Sequence, residues 1–230
     1  MKKEWDHNAV VKLFHEHANG EQAGLMSAYM RNNFPFLGIR SPLRKQLLRQ
    51  IFAEFEMPQG AQLLVETEAL YNMPEREFQY ASIAILDKGK KQLGTSDLDF
   101  CESLITHKSW WDSIDAIAPS IVGTIVLKDR KTCEEVMRRW SVSENMWLNR
   151  SAILHQLKYK SETNEQLLYE IIRMHLESKE FFIQKAIGWV LREYAKTNPG
   201  NVLLFVNSTE LKPLSRREAL KNMKILEKEG

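Results

Sequence analysis

A chain of 230 residues, 43% of them hydrophobic, is long enough to bury a sizeable core and too apolar to remain disordered. Its 32 basic and 30 acidic side chains nearly cancel to a net charge of +2, which excludes a general polycation, so any nucleic-acid footprint must come from charge gathered on one face. Cys101 and Cys133 are too few and too far apart for a disulfide framework or a zinc site, the Met1–His7 stretch lacks the apolar core of a signal peptide, and the uncharged run at 116–127 falls short of the roughly 20 residues a spanning helix needs. A reducing cytosol is therefore expected, with no membrane role and no metal.

The elements read as helices from end to end. Ser41-Pro42 predicts a cap followed by a first-turn proline, and Leu47, Ile51 and Phe55 then recur every four residues. Pro74 predicts another start, with Glu75 and Glu77 in the first turn, and Thr163-Asn164-Glu165-Gln166 has the form of a capping box. Leu167, Leu168, Ile171, Ile172 and Leu176 mark one face of the helix that follows. Short breaks at Asn72-Met73-Pro74, Gly94-Thr95-Ser96, Ser141-Val142-Ser143 and Asn198-Pro199-Gly200 predict stacked helix pairs, and no segment shows convincing strand alternation.

A faint repeat points the same way. Ala81, Ala116, Ala152 and Ala186 follow one another at intervals of 35, 36 and 34 residues, three of them before isoleucine, and small residues at a fixed place let neighbouring helices approach closely. Coincidence in a helical bundle is the alternative. The fold expected is all-α, an α-solenoid or superhelix of tandem helix pairs, forming one domain over residues 1–230.

The densest candidate for chemistry is Ser109-Trp110-Trp111-Asp112-Ser113-Ile114-Asp115. Trp111 and Asp115 are four apart and share a helix face, where a ring can hold a flat cationic group with a carboxylate beside it. Core packing for the tryptophans, and a cap or lysine pairing for Asp112, are the plainer readings. Trp147-Leu148-Asn149-Arg150 follows, with Trp147 36 residues after Trp111, so stacking in register brings Arg150 near the cluster, either to anchor a DNA phosphate or to neutralise a carboxylate. A third unit carries Phe181-Phe182 and Trp189, which line the same cleft or belong to the core.

In four stretches the chain resembles the AlkD-like DNA alkylation-repair glycosylases: Phe34-Pro35-Phe36-Leu37-Gly38-Ile39, Trp110-Trp111-Asp112-Ser113-Ile114-Asp115, Trp147-Leu148-Asn149-Arg150-Ser151-Ala152-Ile153-Leu154, and Glu180-Phe181-Phe182-Ile183-Gln184-Lys185-Ala186-Ile187-Gly188-Trp189. The resemblance implies HEAT-like repeats in a C-shaped array whose concave, basic face cradles duplex DNA. It further implies that Asp115 is the catalytic carboxylate, that Trp111 and Trp189 contact the backbone of the damaged nucleotide, and that Arg150 engages DNA beside the lesion. Tyr29 resembles a further cleft residue. Arg40 stands where the family is expected to tolerate a polar residue, and it is read as an added phosphate contact. Lys158 and Lys185, with Arg44, Lys45, Arg49, Lys108 and Lys160, are candidate phosphate ligands, although each alone reads more simply as a solvated charge.

The activity implied is hydrolysis of N3- and N7-alkylated purines from duplex DNA, without a base-holding pocket, a cofactor or an obligate protein partner. Such purines already carry positive charge, so the leaving base needs no proton and a carboxylate stabilises the oxocarbenium-like sugar. The expected location is the cytoplasm of a bacterial-type cell, nucleoid-associated when bound to DNA. The rivals are a non-catalytic repeat scaffold and a lyase working through a lysine Schiff base, although no lysine stands out for the latter.

Overall fold

The computed structural model describes residues 1–221, and these are helical apart from connections and one isolated parallel bridge between Lys3 and Phe55. The all-helical expectation is met. By its contacts the chain divides into two compact units, one ending at Gln92 and the other beginning at Leu93.

The first unit contains α1 (His7–Glu16), α2 (Gly20–Tyr29), α3 (Ser41–Glu54), α4 (Ala61–Asn72) and α5 (Arg76–Gly89). Leu47 and Ile51 of α3 are buried at the spacing read from the sequence, and Phe55 is buried at the helix end. Ser41 is the first helical residue rather than the cap: Arg40 holds the cap position in extended backbone, and Pro42 enters the first turn. In α5 Glu75 is the cap residue and Glu77 lies in the first turn.

Glu77 is fully buried and gives the Phe-Pro-Phe-Leu-Gly-Ile stretch its shape. Its two carboxylate oxygens accept from the backbone N–H groups of Leu37, Gly38 and Ile39, each at 2.9 Å. Three charge-assisted bonds offset the desolvation of this carboxylate and satisfy donors that no regular element would use. Arg76 is buried too, its guanidinium 3.9 Å over the Phe34 ring, while its N–H bonds to Pro35 O at 2.9 Å. Gly38 has φ of +88°, and a Cβ there would stand 2.0 Å from Asn19 O, so this close approach to the start of α2 admits only glycine.

The second unit contains α6 (Leu98–Thr106), α7 (Trp111–Ile117), a π turn (Ala118–Val122), α8 (Gly123–Lys128), α9 (Arg130–Ser141), α10 (Met146–Leu154), α11 (Glu165–Arg173), α12 (Phe181–Tyr194), α13 (Pro199–Ser208) and α14 (Pro213–Ala219). α10 packs on α9 and lies between α7 and α12, and α12 packs on α14. The helix pairs are thus stacked through their second members.

Local chemistry explains the boundaries. Asn164, not Thr163, caps α11: its side chain accepts from Leu167 N at 3.2 Å, while Thr163 Oγ1 donates to Lys160 O at 2.8 Å. Gln156 holds Asn164 by accepting from its backbone N–H at 2.7 Å and donating to its carbonyl at 3.2 Å, which moves the cap one residue along from the place the motif predicts. α9 is amphipathic, burying Cys133, Met137 and Trp140 at helical spacing while its arginines face outward. Cys101 and Cys133 are buried free thiols.

Of the four repeat alanines, Ala81, Ala152 and Ala186 are buried as expected, whereas Ala116 is half-exposed. The buried face of α7 is formed by Ser113, Ile114 and Ile117, so Ala116 falls on the outer flank beside Asp115. Gly188 is another close-approach residue, since a Cβ there would lie 2.4 Å from Glu218 Cβ.

Candidate active site

Three helices of the second unit build the site. Trp110 precedes α7 in extended backbone, and its carbonyl accepts from Ser113 N and Ile114 N at 3.2 Å and from Ser113 Oγ at 3.0 Å, closing the first turn. Asp112 lies in that turn, where the helix dipole favours a carboxylate. Asp115 follows one turn later. Four residues beyond it Pro119 has no N–H to offer the Asp115 carbonyl, and the helix widens into the π turn, in which Gly123 N donates to Ala118 O.

The widened segment is held from the turn after α10. Tyr159 Oη donates to Gly123 O at 2.6 Å, Lys158 Nζ donates to Ser120 Oγ, and a Cβ on Gly123 would meet His155 O at 2.4 Å. The backbone bend that follows Asp115 is therefore fixed by packing as well as by proline.

Arg150 comes to Asp115 from α10. Its Nε donates to Asp115 Oδ1 at 2.8 Å and its Nη2 to Oδ2 at 2.9 Å, while Nη1 donates to the backbone carbonyl of Phe182. Asn149, beside it, places Nδ2 within 2.9 Å of Trp140 O, 3.1 Å of Ser141 O and 2.9 Å of Ser143 O, tying the end of α9 to α10 and so setting the direction of Arg150. Asp115 is 19% exposed and Arg150 5%. Burial raises the Asp115 carboxyl above its ordinary range, the bonds and charge of Arg150 oppose that rise, and Asp112 adds to it.

The two roles open to Arg150 are thereby distinguished in this conformation. The guanidinium neutralises the carboxylate rather than standing free for a phosphate. Stacking in register, read from the repeat spacing, does bring the two side chains together.

Rings gather at the same end of the helices. Trp110, Trp147 and Phe182 form a triangle with centroid separations of 5.8 Å, 5.4 Å and 5.1 Å. Trp147 therefore meets Trp110, the neighbour of the Trp111 picked out by the 36-residue interval. Trp110 stands outside the helix in extended backbone, so its ring leaves in a direction that helical periodicity does not describe. Trp111 is half-buried one residue further on, and Trp189 is half-buried on α12, seven residues or roughly 10 Å of helix beyond Phe182.

The proposed DNA contacts fall in both units. Lys158 is exposed at the π turn, and Lys185 is 37% exposed and paired with Glu218 at 3.1 Å; Glu218 also accepts from Arg192 at 2.8 Å. Tyr29, 73% exposed, ends α2, and Arg40 is exposed at the start of α3; both belong to the first unit. The residues that sequence reasoning passed over are Trp110 as a ring partner, Phe182 as an acceptor for Arg150, Asn149 as a clamp and Pro119 as the origin of the π turn. Only Pro119, a helix breaker inside an apolar run, carried a local signal.

Comparison with known proteins accords with this geometry. A family model described as DNA alkylation repair enzyme matches residues 10–223. A solved structure described as "Predicted DNA alkylation repair enzyme from Enterococcus faecalis" superposes with a TM-score of 0.82 at 36% sequence identity, over 89% of this chain and 95% of that one. No match was found among curated proteins. A match across nearly the whole chain, and a relative at this identity and coverage, lead to one conclusion: the chain belongs to the DNA alkylation repair enzyme family.

Proposed function

We propose that this repair enzyme is a monofunctional DNA N-glycosylase that hydrolyses the N-glycosidic bond of positively charged N3- and N7-alkylated purines in duplex DNA. The observation that carries this reading is Asp115: a carboxylate only 19% exposed, gripped through both oxygens by a buried arginine and standing four residues after the half-buried Trp111 on the same helix. A cationic purine departs as a neutral base, so no acid is required. The positive charge that grows on deoxyribose as the bond breaks is the quantity to stabilise.

Arg150 occupies one lone-pair direction on each Asp115 oxygen and leaves others free. Through these Asp115 orients the attacking water and takes its proton as the oxygen bonds to C1′. Arg150 opposes the rise that burial gives the carboxyl and acts on DNA through Asp115 rather than by an exposed guanidinium. Trp111 and Trp189 offer ring faces to the cationic sugar and exclude water, and the damaged base is not held in a pocket. Tyr29, Arg40, Lys158 and Lys185 contact the duplex, with Lys185 exchanging Glu218 for a phosphate.

The family match runs across both compact units, which supports their acting as one HEAT-like repair domain. Two buried free thiols suit a cytoplasmic, bacterial-type setting with nucleoid association when bound to DNA. The test is incubation of the purified protein with duplex DNA carrying one N7-methylguanine. Free N7-methylguanine is expected, without a borohydride-trapped adduct. Binding of the duplex with no base released would make the protein a scaffold, and a trapped adduct would make it a lyase.

A further inference from the structure

We propose that the Trp110–Trp147–Phe182 triangle is the positioning module of the Asp115 centre, holding α7, α10 and α12 in the register at which Arg150 grips the carboxylate. The inference rests on the glycosylase reading for its kinetic consequence, but not for its structural one.

Each ring sits at the start of its helix: Trp110 just before α7, Trp147 second in α10, Phe182 second in α12. One turn in from these rings lie Asp115 on α7 and Arg150 on α10. The third helix contributes its backbone, since the carbonyl of Phe182 accepts from Arg150 Nη1. The Phe182 ring also lies 5.9 Å from the guanidinium carbon of Arg150. Phe182 thus touches the arginine through its ring and its main chain, and touches both tryptophans that head the other two helices.

Exposure separates this triangle from ordinary core. Trp140 is 1% exposed and Phe78 is fully buried, whereas Trp110, Trp147 and Phe182 are each half-buried, and Phe181, 58% exposed, stands edge-on to Phe182 at 5.4 Å. Phe182, which reaches solvent beside the buried guanidinium of Arg150, acts as a cover for the ion pair as well as a spacer between the helices.

Asp112 bears on Asp115 from its own helix and Arg150 from α10. On α12 Lys185 is paired with Glu218, on α6 Glu102 accepts from Trp140 and Arg139, and at the π turn Lys158 donates to Ser120. Burial is the largest influence on the Asp115 carboxyl and Arg150 is what opposes it, so the ionisation of Asp115 responds to how closely Arg150 is held, a distance the triangle sets.

The experiment compares the full-length protein with Phe182→Leu and Phe182→Tyr. Aspartate labelled with 13C at the carboxyl carbon is titrated by NMR, the Asp115 signal being identified by its loss in Asp115→Asn. Phe182→Leu is expected to move the Asp115 titration to higher pH, because a loosened Arg150 opposes the effect of burial less, while Phe182→Tyr, which keeps a ring, restores it. On N7-methylguanine duplex, single-turnover kcat is expected to fall about tenfold or more in Phe182→Leu with duplex Kd unchanged. An unmoved titration in a folded Phe182→Leu protein overturns the proposal. So does loss of activity strictly in proportion to the unfolded fraction. If Phe182→Leu does not fold, Trp110→Leu and Trp147→Leu, which likewise remove a ring from the triangle, carry the same titration test. Failure of the wild-type protein to release base, with the titration shift present, counts against the glycosylase reading and leaves the positioning role standing.

Discussion

Replacing Arg150 with methionine removes a buried guanidinium while keeping much of its stem volume. Asp115 then loses both of its bonds to Arg150, at 2.8 Å and 2.9 Å, and the Phe182 carbonyl loses its donor. Removing one partner of a buried pair costs about 3–5 kcal/mol, and the lower end applies here because Asp115 still reaches solvent. In a domain of this length about 3 kcal/mol corresponds to a fall in Tm of roughly 6–12 °C.

The pH dependence fixes the cause. With Arg150 gone, burial and Asp112 act unopposed and the Asp115 carboxyl rises further above its ordinary range. The folded state then keeps its proton at a pH where the unfolded state has lost it. The destabilisation is smallest below the unfolded carboxylate pKa of 3.8 and grows as pH rises through the elevated folded value. Combining Arg150→Met with Asp115→Asn removes both charges and recovers much of the loss, a coupling of about 1–3 kcal/mol. Urea denaturation of the four proteins at mildly acidic and neutral pH reads these differences. A single Arg150→Met variant within about 0.5 kcal/mol of wild type at neutral pH, or one that is additive with Asp115→Asn, refutes the reasoning.

Asp115→Asn keeps shape and removes charge, so duplex binding should hold or tighten while release of N7-methylguanine slows roughly a hundredfold, equivalent to about 3 kcal/mol of transition-state stabilisation; near wild-type excision, or efficient release of neutral uracil by the wild type, contradicts the mechanism. His155 is fully buried, its Nδ1 2.6 Å from Ala152 O, and burial lowers its pKa from 6.5 to about 4. The unfolded chain takes up this proton first, so stability is lost as pH falls from 6.5 towards 4, by about 3 kcal/mol in full, and His155→Phe should flatten that acid loss in thermal melts. Glu77→Ala strands three buried N–H groups and should cost about 3 kcal/mol or more, with hydrogen exchange accelerating first at Leu37, Gly38 and Ile39; protection unchanged at these amides would remove Glu77 from its structural role.

Helical class was legible because caps, breakers and periodicity act over a few residues. Leu47 and Ile51 are buried at the spacing that predicted them, and each marked break falls at a helix boundary or in a short turn. Where the cap motifs slipped, at Ser41 and Thr163, the competing group was a neighbour in sequence or space: Arg40 already held extended backbone, and Gln156 fastened Asn164. Half of the candidate site was legible as well. The repeat interval brought Arg150 to Asp115, because a solenoid places equivalent positions of successive units side by side.

What the sequence by itself determined, then, is the set of helices and the meeting of a carboxylate with an arginine one unit later. Tertiary structure decided what that meeting means. Whether Arg150 faces a phosphate or Asp115 depends on Asn149 clamping the end of α9 and on the Phe182 carbonyl, groups whose partners are set by packing. The meeting of Trp110 with Trp147 depends on Trp110 leaving the chain from extended backbone, and the half-exposure of Ala116 depends on which face α7 turns inward. Side-chain type and spacing encode the angular position of a residue on its own helix; the rotation of that helix against its neighbours arises only when the bulk of many side chains, here with the π turn at Pro119, is packed at once.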